Sequence, residues 1–256
     1  MSEPVMIEIL PTVFVSRLAS LGTAVRFGRN VRIWGPTSIG SGSVIEDNVQ
    51  IGHPSPRQFH FPQARDADYV PPQSLDSLDH SLRVPTVIGE GAIIRSGTVI
   101  YSGVKAGHGL DCAHNVVIRE NCTFGENCYL RVGSNILREV RVGHNARISG
   151  VVCDWSQLGS NVSSLGYLLH AYRTGRGGLS EPGPVLKDFA VVGRAACVIG
   201  AVTLGEWAYV GAGAVITADV PAHALVLGKS SRVIPFQSPL NARRADRSEV
   251  DFGSTS

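Results

Sequence analysis

The sequence predicts an all-β fold, a parallel β-helix whose coils have three short, flat faces. Between Ile88 and Val152 apolar residues recur every six positions, a period that neither an α-helix nor a simple strand has. Repetition at a fixed short period is typical of solenoids. The lead positions of this register are Ile88, Ile94, Ile100, Ala106, Cys112, Ile118, Phe124, Leu130, Ile136, Val142 and Ile148. A second small or apolar residue follows each of them by four places, from Ala92 to Val152.

The position between these two registers indicates where the chain turns. It holds Gly91, Gly97, Gly103, Gly109, Asn115, Asn121, Asn127, Gly133 and Asn145. Only Glu139 and Val151 break the rule. Gly and Asn tolerate positive φ, so we expect one corner per six residues and three corners per coil, each coil about 4.8 Å above the last. A further glycine recurs every eighteen residues, which makes one corner distinct: Gly89, Gly107, Gly125 and Gly143.

The same register continues on both sides of the central block, in leads from Phe27 to Ile51 and from Val192 to Ile216. We therefore expect one β-helix domain over residues 1–234. Stretches rich in Pro and Gly interrupt the repeat at about 53–85 and 163–187, which predicts two long loops. Such loops are either functional or tolerated surface insertions. Residues 235–256 form a C-terminal tail, expected as a short helix or a disordered segment.

Composition restricts the function classes. The 256 residues are 43% hydrophobic, and the formal net charge of +2 is too small to indicate nucleic acid or an anionic membrane as a partner. We find neither a membrane-spanning run nor a secretory signal pattern, so the expected location is cytoplasmic. The five cysteines form no CxxC pair, and Cys112, Cys122 and Cys128 occupy inward registers. They are interpreted as small buried hydrophobes rather than disulfide or zinc cysteines.

Polar residues of interest precede the corners, two places after each lead. Glu90, His108, Glu126 and His144 share the distinct corner, one per coil, as either a hydrogen-bonded ridge or a solvated edge. His114 occupies the same kind of position on a neighbouring corner, with Ser96 one coil below and Val132 one coil above. Spacing alone does not distinguish His114 from His108.

The stretch TVIGEGAIIRSGTVIYSGVKAGHGLDCAHNVVIRENCTFGEN, Thr86 to Asn127, resembles the left-handed β-helix hexapeptide acyltransferases. It is most similar to the branch that N-acetylates amino sugars on nucleotide carriers. The fold implied is a left-handed parallel β-helix, a triangular prism that is typically homotrimeric with sites between subunits. AHNVVIRE matches the segment of that branch carrying a histidine that accepts the proton of the acceptor, which implies that role for His114. Asn115 and the corner amides are candidate donors to the developing oxyanion.

The later segment from Glu181 to Ile234 resembles the closing coils of the same family. The resemblance implies an acyl-CoA, acetyl-CoA above all, as co-substrate and no permanently bound cofactor. Gly193, Gly211 and Ala212 would line the channel for its pantetheine arm. Lys229 and Arg232, with Arg243 or Arg244, are candidates for its phosphates. The remaining partner is a small-molecule amine, with neither nucleic acid nor membrane expected.

The chain departs from the family pattern where the acceptor should be selected. An Asn-Asp-containing loop is replaced by one that carries Tyr167, His170, Tyr172 and Arg173, which become the candidate substrate-binding residues. Ser230 and Ser231 replace the Pro-Ala of the closing turn. An amino sugar is therefore the leading acceptor class, and an amino acid, an aminoglycoside-like metabolite or a hydroxyl group stays open.

Two other classes remain as alternatives. A γ-carbonic-anhydrase-like zinc enzyme shares the prism, and His108 and His144 lie two coils apart on one corner. However, the further histidine expected about five residues after the second is Ser149 here, and three imidazoles are usual for an open zinc site. The second alternative is a non-catalytic prism that binds a nucleotide or a protein. No metal ligands are assigned in the favoured interpretation.

Overall fold

The computed structural model describes residues 6–55, 79, 82–171 and 181–228, and these residues form a left-handed parallel β-helix. Successive short strands belong to three sheets of eleven, nine and ten strands, so each sheet is one face of a triangular prism. Pairing between coils is parallel throughout, except that Met6–Leu10 pairs antiparallel with Val13–Ser16. That strand covers the edge that the first coil would otherwise leave open. Among the described residues, no helix is long and apolar enough to cross a membrane.

We number the faces in chain order and name each corner by the faces it joins. Face 1 comprises Met6–Leu10, Val13–Ser16, Arg32–Ile33, Gln50–His53, Val99–Tyr101, Val117–Ile118, Asn135–Ile136, Val151–Val152, Tyr167–Leu169, Cys197–Ile199 and Val215–Ile216. Face 2 comprises Ser20–Leu21, Thr37–Ile39, Thr86–Ile88, Lys105–Ala106, Thr123–Phe124, Arg141–Val142, Gln157–Leu158, Val185–Leu186 and Thr203–Leu204. Face 3 comprises Arg26–Phe27, Val44–Ile45, Ile93–Ile94, Asp111–Cys112, Tyr129–Leu130, Arg147–Ile148, Ser163–Ser164, Val191–Val192, Tyr209–Val210 and Leu225–Val226.

The main core is a column of small and aliphatic side chains along the prism axis, and Trp34 and Leu82 form a second, smaller buried cluster. The lead residues lie in these short strands and point inward, and the residue four places after each of them fills the space inside the next corner. Ile88, Ile94 and Ile100 are buried in this way, with Ala92 and Val104 beside them. The cysteines predicted to be inward, Cys112, Cys122 and Cys128, are buried as expected.

The predicted corners are confirmed. Every Gly or Asn of the corner register, from Gly91 to Asn145, has positive φ. Glu139 breaks the compositional rule but still adopts φ 60°. Backbone hydrogen bonds link each corner to the coil below, as from Asn115 N–H to the Ser96 carbonyl at 3.0 Å. The conformation of a corner is therefore set by the stack, and the residue there must accept it.

The glycine column with the eighteen-residue spacing lies where face 2 enters the 2–3 corner. A Cβ atom added to Gly89 would lie 2.5 Å from the carbonyl carbon of Gly107. A Cβ on Gly125 would meet Gly143 at 2.7 Å. The backbones of successive coils approach so closely at this edge that a side chain does not fit, and this is why the 2–3 corner is distinct.

The regular period is interrupted after Ile148, where the sequence predicts a corner at Val151. Gly150 takes φ 84° two residues after Ile148, so Val151–Val152 is a strand and not a corner. The coil that contains this short turn has sixteen residues, because Arg141 pairs with Gln157. The six-residue period fails here because a tighter glycine turn replaces one of the regular corners.

The second loop is shorter than the predicted range 163–187. Ser163–Ser164, Tyr167–Leu169 and Val185–Leu186 are strands within that range. Another four-residue step, from Ser164 to Leu168, hides these strands from a six-residue pattern. The chain therefore leaves the prism only after Leu169 and has returned by Val185. Both excursions, this one and the one that follows His53, begin and end at the 1–2 corner.

Candidate active site

His114 lies on the 3–1 corner, between the strand Asp111–Cys112 of face 3 and the strand Val117–Ile118 of face 1. Its side chain is 52% exposed. Asn115 follows at φ 57°, and its amide is already committed to the Ser96 carbonyl. The backbone N–H of Asn115 is therefore not available to an oxyanion, and only the side-chain amide of Asn115 could donate to one.

A carboxylate faces the imidazole. Glu46 Oε2 lies 3.9 Å from His114 Nδ1, and it accepts hydrogen bonds from both the amide and the hydroxyl of Ser96, each at 3.0 Å. The distance to the ring is longer than a hydrogen bond, as is common in ligand-free sites. Two fixed donors orient the carboxylate, so it is held beside Nδ1 with little freedom.

His108 and His144, which hold the equivalent position on the 2–3 corner, are bound differently. The amide of Glu90 donates to His108 Nδ1 at 3.2 Å, and the amide of Glu126 donates to His144 Nδ1 at 3.1 Å. The same arrangement holds where the upper residue is an aspartate, as between the Arg29 amide and Asp47 Oδ1 at 2.8 Å. A side chain at this position thus usually accepts from the corner amide one coil below.

His114 is the exception, because Glu46 occupies the amide of Ser96 that its Nδ1 would otherwise accept from. In His108 and His144 the accepting Nδ1 carries no proton, so the proton of the neutral ring is on Nε2. A carboxylate beside Nδ1 favours the opposite tautomer, with the proton on Nδ1 and a free lone pair on Nε2. Only the second arrangement gives an outward nitrogen that can take a proton from a substrate.

The surroundings of His114 offer room for a ligand on one side. An open depression of 320 Å³ on face 3 adjoins Glu46 and Ser96 and is also lined by Arg26, Phe27, Gly28, Val44, Ile45 and Asp47. Above the histidine, Val132 is exposed at the next corner. A ligand at His114 would thus meet polar groups below and an apolar side chain above.

The residues predicted for the pantetheine arm lie on the same 3–1 corner. Gly193 and Gly211 are buried in its wall, whereas Ala212 is exposed at its tip. A Cβ on Gly193 would lie 2.6 Å from the Ala212 amide, so the next coil requires glycine there. The coil of Gly193 is the fourth along the stack from that of His114, and the coil of Gly211 is the fifth, which corresponds to distances of about 19 and 24 Å. Only an extended ligand could contact both ends.

The structure separates the predicted substrate-binding residues. Tyr167 is exposed on face 1 next to the 3–1 corner, three coils or about 14 Å along the stack from His114. His170 lies across face 1 at the 1–2 corner, where its ring is 6.0 Å from that of Trp155. They therefore do not form one site with His114 within a chain. The other predicted residues, Tyr172, Arg173, Lys229, Arg232, Arg243 and Arg244, lie outside the described residues.

The alternative zinc interpretation involves His108 and His144. Within the described parts of the chain, no group of three or more His, Cys, Asp or Glu residues could hold a metal ion. His108 and His144 are instead each engaged by a backbone amide.

Sequence reasoning missed Glu46. It lies one place after its lead residue, Ile45, and not two, and the first loop separates it from His114 in the sequence. A signal was available, because if that loop replaces a single corner, Ile94 must stack on Ile45. The observed pairing of Ile94 with Ile45 has this register.

Known proteins match this chain in sequence over part of its length. No family model matches the chain. It is 33% identical over 117 residues to a bifunctional protein GlmU of Shouchella clausii, covering 41% of this chain and 25% of that protein. It is 31% identical over 103 residues to a serine acetyltransferase of Bacillus subtilis, covering 40% and 45% of the two chains. Thus the chain spans less than half the length of the curated relatives it matches.

Among solved structures, a UDP-N-acetylglucosamine acyltransferase from Campylobacter jejuni aligns with 94% of this chain and 82% of its own, at 17% identity and a TM-score of 0.38. The chain has the left-handed β-helix fold, and over the matched segments its sequence is similar to hexapeptide-repeat acyltransferases.

Proposed function

We propose that this protein transfers an acyl group from an acyl-CoA, acetyl-CoA first of all, to an amine of a small molecule, with an amino sugar as the leading acceptor. His114 is the general base and Glu46 is the residue that positions it. One observation carries the assignment: Nδ1 of His114 faces a carboxylate, whereas Nδ1 of His108 and His144 accepts a backbone hydrogen bond.

The chemistry requires a proton acceptor next to the attacking nitrogen. Attack of the amine on the thioester carbonyl forms a tetrahedral centre, His114 Nε2 takes the proton from nitrogen, and CoA leaves as the thiolate. Imidazole is largely neutral at pH 7 and suits this step. Glu46 stabilises the imidazolium that forms, as a carboxylate behind a catalytic histidine does.

The co-substrate follows the 3–1 corner in this proposal. Its pantetheine arm extends from the coil of Gly193 and Gly211 toward His114, and Lys229 and Arg232 remain the candidates for its phosphates. The thioester then arrives at the exposed edge beside Asn115. A homotrimer, in which a neighbouring prism closes this groove, is part of the proposal.

The first test is calorimetric titration with acetyl-CoA and with free CoA. Binding at one site per chain supports the proposal, and an absence of binding to either ligand contradicts it. Turnover is then followed as release of free CoA, by chromatography, with nucleotide-linked amino sugars first and with free amino acids and hydroxyl acceptors as comparisons.

His114→Ala is expected to lower kcat by roughly 100-fold or more while CoA affinity stays within about twofold. His108→Ala and His144→Ala are the matched controls, because they remove the same side chain from equivalent corner positions and should keep nearly full activity. Glu46→Gln is expected to lower kcat by about tenfold and to leave the acceptor KM little changed. Equal turnover in His114→Ala and His108→Ala would refute the assignment of the base.

A further inference from the structure

A second polar pocket lies on the 1–2 corner, across face 1 from His114. It has a volume of 240 Å³ and is lined by Ser55, Val84, Ser102, Glu120, Asn121, Arg138, Glu139 and Trp155. Ser55 and Val84 belong to the ends of the first excursion from the prism, and Trp155 contacts His170, where the second one begins. The pocket thus occupies the stretch of corner between the two long excursions.

Arg138 supplies a fixed cation in this pocket. Its Nε donates to Asp154 Oδ2 at 3.0 Å, and its guanidinium lies 5.1 Å from the centre of the Trp155 ring. Its side chain is only 17% exposed. Within the described residues, neither Nη atom makes a hydrogen bond. A guanidinium held by a carboxylate and an aromatic ring, with both Nη groups left over, is suited to binding a carboxylate in a bidentate way.

Two carboxylates supply the opposite charge. Glu120 is 11% exposed and is bound by the adjacent Arg119 through Nε at 2.8 Å and Nη2 at 3.2 Å. Glu139 accepts from Asn121 Nδ2 at 2.8 Å through Oε1. No hydrogen bond to its other oxygen occurs in the described part of the chain. Glu139 therefore presents a fixed acceptor to the pocket.

Glu139 adopts a corner conformation that Asn adopts more easily. Its φ is 60°, at a corner position held by Gly103 and Asn121 on the two coils below and by Trp155 on the coil above, all with positive φ. A glutamate in this region costs conformational energy that Asn largely avoids. Replacement of Glu139 by Asn therefore removes the carboxylate and keeps the corner conformation.

The charges identify the class of ligand. Arg119, Glu120, Arg138, Glu139 and Asp154 sum to −1, which disfavours a phosphate dianion. A cation without an acidic group would leave the Nη donors of Arg138 unsatisfied. We propose that this pocket binds a small free amino acid as its zwitterion, with its carboxylate on Arg138 and its ammonium group on Glu139 and Glu120. The site lies at the opposite edge of face 1 from the proposed catalytic corner, and it does not depend on the proposed function.

The test is titration calorimetry with glycine, L-alanine and L-serine, compared with alaninamide, which lacks the carboxylate, and propionate, which lacks the ammonium group. We expect binding of one or more zwitterions and of neither analogue. Absence of zwitterion binding at millimolar concentrations, or equal binding of alaninamide, would overturn the proposal.

Glu139→Asn is the informative variant, because Asn suits the corner. Its thermal stability should equal or exceed that of the wild type, while its affinity for the zwitterion should fall roughly 10- to 100-fold, the loss expected for one charge-assisted hydrogen bond. Arg138→Lys should weaken binding to a similar extent. Glu126→Gln, an exposed change on the 2–3 corner, is the control and should bind normally.

His114→Ala separates the two sites. If the zwitterion binds at the 1–2 corner, this variant keeps its affinity. Loss of zwitterion binding in His114→Ala with normal binding in Glu139→Asn would place the ligand at the other corner and refute the proposal. Failure of acetyl-CoA to bind would contradict the acyltransferase proposal alone.

Discussion

Replacement of Gly89 by alanine tests the packing that makes the 2–3 corner distinct. The added methyl group would lie 2.5 Å from the carbonyl carbon and oxygen of Gly107 and 2.6 Å from the amide nitrogen of His108. That is about 1 Å closer than carbon atoms pack. The neighbouring atoms are backbone, so the overlap can be relieved only if the two coils separate.

The size of the effect follows from what such a separation breaks. Overpacking in a well-packed interior costs about 1–3 kcal/mol. The hydrogen bonds from Gly89 N–H to Ala106 O at 3.0 Å and from Gly109 N–H to Glu90 O at 2.9 Å join the same two coils. Their weakening adds about 1 kcal/mol each, for a total of about 3–5 kcal/mol.

The assay is urea unfolding followed by far-UV circular dichroism. With an m value of about 3 kcal/mol/M, the midpoint for Gly89→Ala should fall by about 1 M or more. Gly91→Asn is the matched control, two residues away, because a Cβ at Gly91 meets nothing within 4 Å and its φ of 64° is one that Asn adopts at equivalent corners. Its midpoint should stay near that of the wild type. Equal midpoints for the two variants would refute the steric explanation.

Two further predictions follow from buried titratable groups. Burial raises the pKa of Cys122 to about 12 and that of Cys153 to about 11. At pH 8, therefore, no more than one thiol per chain, that of Cys197, should react with a thiol reagent in the folded protein. All five thiols should react after denaturation. Burial, opposed by a hydrogen bond with the Pro54 carbonyl, lowers the pKa of His53 below its usual 6.5. Below pH 6.5 the unfolded chain therefore binds a proton that the folded chain does not. The free energy of unfolding accordingly decreases as the pH is lowered through this range. In urea titrations, His53→Gln should reduce this slope by up to about 1.4 kcal/mol per pH unit, and an unchanged slope would contradict the assignment.

The sequence predicts the regular part of the prism well, because sterics alone determine it. Each six-residue segment of a coil needs an inward apolar residue and a residue that accepts positive φ. Both requirements are visible in the sequence, as apolar residues and as Gly or Asn at a fixed spacing. The corners from Gly91 to Asn145 are confirmed one by one for this reason. The pattern fails at Gly150, where a two-residue turn shortens the coil. A strict six-residue repeat predicts eighteen residues per coil, and this coil has sixteen.

The candidate site is harder to predict because its partners are distant in sequence. The hydroxyl of Ser43 accepts from the amide of Ala92, forty-nine residues later, and Glu46 meets Ser96 across the same gap. Each contact depends on how many corners the first excursion replaces. The sequence identifies His114 only through resemblance, whereas its tautomer depends on a hydrogen bond between Glu46 and Ser96 that no spacing rule contains.

The steric rule of the 2–3 corner also explains why the free imidazole lies on the 3–1 corner. A carboxylate can bind a corner amide in place of a histidine only if the residue just before the corner, one coil below that amide, has a side chain. On the 2–3 corner this residue is Gly40 for the amide of Glu90, where an added Cβ would lie 2.4 Å from the amide nitrogen, and Gly107 for the amide of Glu126, where the distance would be 3.1 Å. Nothing there competes for the Glu90 amide, and His108 accepts it. On the 3–1 corner the equivalent position holds Glu46, which binds the Ser96 amide and leaves Nδ1 of His114 available. The close approach of the coils at one corner thus confines this acid–histidine arrangement to another.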